Sequence, residues 1–270
     1  IDETGAPMTV ASAREYLYKR IRRAKGPVWL RSEWPFEISP IIPWTEACQA
    51  VIELPKDAGV FLNGEELYLN VKERVLDRCM MPVNLPRLLL GTNTLAIEGE
   101  YNDAWAFESP WVRGEFRVAT DDNARFVMEF DSGPIAVGAW PEHGMPFYFG
   151  SVLYVAETEA EAFRPGERVM LNMSGLVGAA SVRVNGSAAG EIWRRPYRCE
   201  LTKWWKRGRV LLEIEVANTL RNFLGPHFAQ GGRNQTSFTR SDYEGALGAP
   251  RSFEACGLLG SPFVSIESDS

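Results

Sequence analysis

The chain has 270 residues, 45% hydrophobic and 24% charged, which is enough apolar material for one large core or two domains of about 130 residues. A formal net charge of −6 and a pI near 5.2 exclude the basic footprint that nucleic acid or an anionic membrane surface would require. No apolar run approaches the ~20 residues that span a bilayer, and the opening IDETGAPMTV has neither the basic start nor the apolar stretch of a secretory signal.

Residues 9–25, TVASAREYLYKRIRRAK, have helical periodicity. Val10, Ala13, Leu17, Ile21 and Ala24 recur at steps of three and four. Basic residues gather at the C-terminal end, where they suit the helix dipole, and Gly26-Pro27 stops the element. Residues 1–27 are therefore expected to form a short N-terminal helix or linker.

After Pro27 the period falls to two, the mark of half-buried strands. Over 112–118, Val112, Gly114, Phe116 and Val118 alternate with Arg113, Glu115 and Arg117. Phe126, Met128 and Phe130 share a face, as do Val169, Leu171 and Met173, and Leu212, Ile214 and Val216. Asn63-Gly64 and Asn185-Gly186 are hairpin signals, because a tight turn needs φ > 0 at both central residues. Many short strands with regular turn punctuation predict an all-β sandwich or barrel.

The chain also repeats itself. Val60–Gly64 matches Val182–Gly186, and Gly91–Ile97 matches Gly208–Ile214. A third landmark pairs Gly114, Phe116 and Val118 with Gly260, Phe263, Val264 and Ile266. Two copies imply two sandwiches, expected over 28–140 and 141–270, with the Pro/Gly-rich GAWPEHG between them. The second copy carries a long insertion at about 218–252, and inserted loops on rigid scaffolds commonly hold binding residues.

Cys48, Cys79, Cys199 and Cys256 are too widely spaced for a zinc knuckle or a redox pair and are expected to stay reduced. Free cysteines and the missing signal favour a cytoplasmic location, although the start at Ile1 reads as a processed chain or a fragment. His143 and His227 are isolated from one another and from every Cys, so no metal or other cofactor is expected. The Asp121-Asp122-Asn123 turn is the nearest candidate for a structural Ca²⁺. The tidiest acid pairs, Glu98 with Glu100 and Glu213 with Glu215, read as solvent-facing strand positions. There is no G-x-S-x-G elbow and no phosphate-cradling glycine loop. No catalytic set is assigned.

The segment VRVNGSAAGEIWRRPYRCELTKWWKRGRVLLEIEVANTLRNFLGPHF resembles the galactose-binding-like jelly roll carried as an accessory domain by large glycoside hydrolases, among them the family 2 and α-L-rhamnosidase-like groups. The resemblance lies in the hairpin Val182–Gly186, the segment Trp193–Tyr197, the turn Arg207-Gly208 and the closing strand Val216–Thr219. Where such domains carry W-x-P-P-Y, this chain has Trp193-Arg194-Arg195-Pro196-Tyr197. The first copy, with PWVRGEF at 110–116, is similar but looser, and together the resemblance spans roughly 28–267. It implies two tandem galactose-binding-like jelly-roll β-sandwiches. It also implies a non-catalytic region of a larger glycoside hydrolase that braces an upstream catalytic domain of the same polypeptide.

Sugar recognition needs a flat aromatic for the C–H face and planar polar groups for vicinal hydroxyls. Asn218, Arg221, Asn222 and His227 supply such groups on one loop, and Trp193 and Tyr197 lie on a neighbouring segment of the expected fold. These six are the candidate carbohydrate-binding residues. A stand-alone lectin-like protein and a purely structural interaction module remain open beside the accessory role, and neither nucleic acid nor membrane is expected as a partner.

Overall fold

The computed structural model describes residues 18–19, 21–39, 47–69, 72–102, 105, 109–130, 133–225, 229–230, 233–234 and 250–268. The chain is all-β and separates into two compact units: unit 1 is Ile1–Ser132 with Gln235–Arg251, and unit 2 is Gly133–Asn234 with Ser252–Ser270. Of the helix expected over 9–25, residues 18–19 and 21–23 are helical, Ala24 and Lys25 are not, and the others lie outside the described residues.

Unit 1 contains β1 (Trp29–Ile38), β2 (Cys48–Glu53), β3 (Gly59–Leu62), β4 (Glu65–Glu66), β5 (Met80–Leu85), β6 (Gly91–Glu100), β7 (Trp111–Arg113), β8 (Phe116–Ala119) and β9 (Val127–Phe130). One sheet runs β4-β3-β6-β1-β9-β8 and the other β5-β2-β7. Their inward side chains meet in one core, with Ile38, Val60, Leu62, Leu95 and Ile97 from the larger sheet and Ala50, Ile52, Val83 and Leu85 from the smaller.

Unit 2 contains β10 (Gly138–Ala139), β11 (Ser151–Ala160), β12 (Glu167–Asn172), β13 (Leu176–Val177), β14 (Ala179–Val184), β15 (Ser187–Ile192), β16 (Arg198–Glu200), β17 (Gly208–Ala217), β18 (Ala229–Gln230), β19 (Arg233–Asn234), β20 (Gly257–Leu258) and β21 (Phe263–Ser268). Its main sheets run β11-β17-β14-β15 and β16-β12-β21, and β10-β20-β13 forms a third, three-stranded sheet. Every second residue of β14 and β17 is buried (Ala180, Val182, Val184; Val210, Leu212, Ile214, Val216), against Val169 and Leu171 of β12. This is the two-residue period of the sequence converted into a sandwich core. Trp140 is fully buried among them and donates its indole N–H to the Tyr154 hydroxyl at 2.8 Å. At Gly257, φ is +102°, and a Cβ would lie 2.2 Å from Trp140 Nε1, so only glycine lets β20 pass the indole.

The two units share one strand scheme. The order β4-β3-β6-β1 in unit 1 corresponds to β15-β14-β17-β11 in unit 2, and β5-β2-β7 to β16-β12-β21. Asn63 and Asn185 both adopt left-handed φ, at 51° and 50°. The Oδ1 of each accepts the N–H of the residue three past the glycine that opens the next long strand: Thr94 at 2.8 Å for Asn63, and Leu211 at 2.8 Å for Asn185. The register agrees as well, with Ile38 opposite Gly91 and Ala160 opposite Gly208.

The third landmark does not correspond. The alternating run 112–118 is two strands, because the chain turns at Gly114-Glu115. A Cβ on Gly114 would lie 2.7 Å from Cys48 Sγ, so glycine permits this close approach. It is β7, before that glycine, that takes the place of β21. β8 instead joins the larger sheet through β9.

Candidate functional site

On unit 2, the face of β11-β17-β14-β15 turned away from the core carries the residues between the buried ones. Ser151, Ala179, Ser181, Glu191, Glu215 and Ala217 are exposed on it. At one end of this face lies a depression of about 570 Å³, lined by these residues together with Phe149, Trp193, Asn218, Thr219 and Leu220. Ser181 faces Glu191 across one strand boundary and Glu215 across the other, so the two carboxylates are carried two strand spacings apart, about 10 Å along the sheet. The Ser151 hydroxyl donates to Glu215 Oε1 at 2.6 Å.

Trp193 directly follows β15 and is 65% exposed, a large apolar plane left in water. The Arg194 guanidinium lies over its ring, 5.1 Å from the centroid. The alternation Glu191 out, Ile192 buried, Trp193 out places the carboxylate and the indole at the same depression. The depression is thus a shallow basin with an aromatic wall, hydroxyls from Ser151, Ser181 and Thr219, and two acceptor carboxylates. Such a set can stack on an apolar ring face and accept hydrogen bonds from hydroxyl groups.

Of the six candidates from the sequence, Trp193 and Asn218 come together here. The Asn218 amide is itself held, with Oδ1 accepting the Gly150 N–H at 3.0 Å and Nδ2 donating to the Tyr148 carbonyl at 2.8 Å. Tyr197 lies away from the depression, packed against the core with Arg195 over its ring at 5.8 Å. Asn222 is 3% exposed in the helical turn Arg221–Leu224, and its amide clamps Glu254 by both backbone groups, at 2.7 and 3.0 Å. Arg221 Nε lies 3.3 Å from Glu254 Oε1. His227, and most of the 218–252 insertion, lies outside the described residues. The Nδ2 atoms of Asn218 and Asn222 both approach Cys256 Sγ, at 3.6 and 3.8 Å, and burial is the main reason that this thiol titrates above its ordinary range.

Sequence reasoning did not find Glu191, Ser181 and Ser151 as site residues, and weighed Glu215 only as the partner of Glu213. The signal available was the E-I-W alternation that ends β15. The acid pair Glu98 and Glu100 lies in unit 1. There Glu98 accepts from Trp29 Nε1 at 3.1 Å and Arg31 Nη1 at 2.6 Å, and the Arg31 hydrogen bond is the main reason its carboxyl titrates below the usual carboxylate range. In the 121–123 turn, Asp122 Oδ1 accepts the N–H groups of Ala124 and Arg125 at 2.8 and 3.0 Å, an Asx-type turn. Among the described residues no three His, Cys, Asp or Glu side chains gather as metal ligands would.

No protein family matches the sequence, and no curated protein does. Among solved structures the chain is similar to a rhamnosidase from Novosphingobium sp. PP1Y, at 17% identity and a TM-score of 0.38, over 95% of this chain and 26% of that one. It is also similar to an α-L-rhamnosidase of Streptomyces avermitilis, at 13% identity and a TM-score of 0.26, over 70% of this chain and 21% of that one. A lectin from Pleurotus ostreatus matches at 11% identity and a TM-score of 0.24, over 71% of this chain and 68% of that one. The chain thus spans about a quarter of the length of the two rhamnosidases.

Proposed function

We propose that unit 2 binds carbohydrate at the basin beside Trp193, and that the chain is a non-catalytic, carbohydrate-handling region of a larger glycoside hydrolase. The observation that carries the binding reading is Trp193 itself. Leaving an indole 65% exposed gives the fold nothing, whereas a sugar ring stacked on it would remove apolar surface from both partners. The hydroxyl and carboxylate groups of Ser151, Ser181, Glu191 and Glu215 supply the polar partners that a sugar needs. The two carboxylates favour neutral or amino sugars over uronates, because a third negative charge would be repelled. The accessory role is supported by the sequence resemblance of Val182–Gly186 and Trp193–Tyr197 to accessory jelly rolls.

The test is a glycan array followed by titration calorimetry on the 270-residue chain and its Trp193→Ala variant. The expected result is a neutral glycan bound weakly by the parent and at least about tenfold more weakly by the variant, with an unchanged circular dichroism spectrum. A parent chain that binds no glycan, or a variant that binds as well as the parent, overturns the reading.

A further inference from the structure

The two units meet the same problem at the same edge and solve it differently. In unit 1 the outer edge of β1 is covered by β9, which runs parallel to it with Glu37 opposite Val127 and Ile38 opposite Met128. The Ser39 N–H donates to the Met128 carbonyl at 2.8 Å, and Met128 enters the core. Arg125, two residues before Val127, forks onto the Glu37 carboxylate at 2.7 and 2.9 Å. In unit 2 the corresponding strand β11 pairs, among the described residues, with β17 alone, and Pro134, Ile135 and Val137 line the space beside it without joining it as a strand. An unpaired edge is a template for another strand.

Beside that edge is a slot of about 900 Å³. Its floor includes the core residues Leu171, Trp205, Leu212 and Ile214. Its rims carry Leu153 and Val155 of β11, exposed by 56% and 58%, and Phe263 and Ile266 of β21, exposed by 57% and 46%. The shared register makes Glu159 the equivalent of Glu37. Glu159 is exposed and has no ion-pair partner among the described residues, and Glu161 stands at the slot beside it.

We propose that β11 and its slot receive an extended strand of a partner protein. The strand runs parallel to β11, sets a basic residue on Glu159 and inserts alternate apolar side chains into the slot. Main-chain hydrogen bonds supply the attachment, and the charge and the slot supply the selection. A basic, apolar strand suits the acidic rim and repeats the chemistry that unit 1 uses at the same place, Arg125 followed by Val127 and Met128.

The probe is a fluorescein-labelled peptide with the sequence of residues 124–130, ARFVMEF, titrated into the 270-residue chain by fluorescence anisotropy. Binding is expected. Glu159→Lys should weaken it about three- to fivefold, as for a solvent-exposed ion pair, and a peptide with Arg125→Glu should recover that loss on the Glu159→Lys chain. Phe263→Ser, at an exposed position, should weaken binding of both peptides. No binding, or binding indifferent to Glu159→Lys and to Phe263→Ser, overturns the proposal. So does sedimentation showing that the chain dimerises through β11, which would make a second copy the occupant.

Discussion

Unit 1 and unit 2 lay down the same strands in the same order, but they differ two residues past the glycine that opens the long strand β6 or β17. There unit 1 has Asn93, 1% exposed, and unit 2 has Val210, 0% exposed. The buried amide of Asn93 is fully used, accepting the Leu89 N–H at 2.8 Å and donating to the Leu89 carbonyl at 2.7 Å. A polar residue is therefore tolerated in the sandwich only where it closes a loop that would otherwise leave backbone groups bare. The second difference is the edge. Unit 1 covers β1 with its own β8–β9 hairpin, and among the described residues no strand of unit 2 covers β11 in the same way. The topology specifies where an edge falls, and the residues after β7 specify whether the chain covers it.

The largest way to break this comparison is at the hairpin. Met128 is 7% exposed and belongs to the unit 1 core. Met128→Ala should destabilise unit 1 by about 2–5 kcal/mol, the usual cost of emptying a buried Met site. Amide hydrogen exchange should quicken in β1 and β6 and stay unchanged in β17. If β17 quickens equally, the two cores do not open independently.

Next in size are the paired turns. Asn63→Ala and Asn185→Ala each remove the side-chain acceptor of one strand N–H and place alanine at positive φ, at a cost of about 1–2 kcal/mol. Asn63 should cost more, because its Nδ2 also donates to Asn93 Oδ1 at 3.0 Å, and Val210 offers no such group to Asn185. Denaturant unfolding of the two variants measures the difference, and equal losses would mean that the Asn93 contact adds nothing.

Much of this was legible in the sequence. Asn-Gly has few conformations open to it, so Asn63-Gly64 and Asn185-Gly186 announced their turns, and the strict alternation in 210–216 announced a strand with one buried face. The split at Gly114 was not legible, because alternation continues through it and only the approach of Cys48 reveals the turn. The loop 218–222 looked like a sugar contact because amides and guanidinium are generic donors. Whether they face ligand or backbone depends on Glu254 and Gly150, which are 32 and 68 residues away in sequence. The basin beside Trp193 needs β15, β14, β17 and β11 brought side by side, and no local pattern encodes that pairing.

The last effect in size concerns the pH response of unit 2. Burial is the first cause that raises the titration of Cys199, Cys256 and Tyr148, and all three belong to unit 2. A raised thiol holds its proton in the folded state at a pH where the unfolded chain has released it. The stability that this contributes is complete below the ordinary thiol range, about 8.5, and is lost as pH rises from there through the folded values. Unit 2 should therefore loosen in alkali, seen as faster exchange in β17 once the intrinsic rate is divided out. Cys256→Ala should flatten that decline, since Asn218 and Asn222, which donate to the thiol, only partly oppose the effect of burial. A decline of the same steepness in the variant would place its origin in Cys199 or Tyr148 instead.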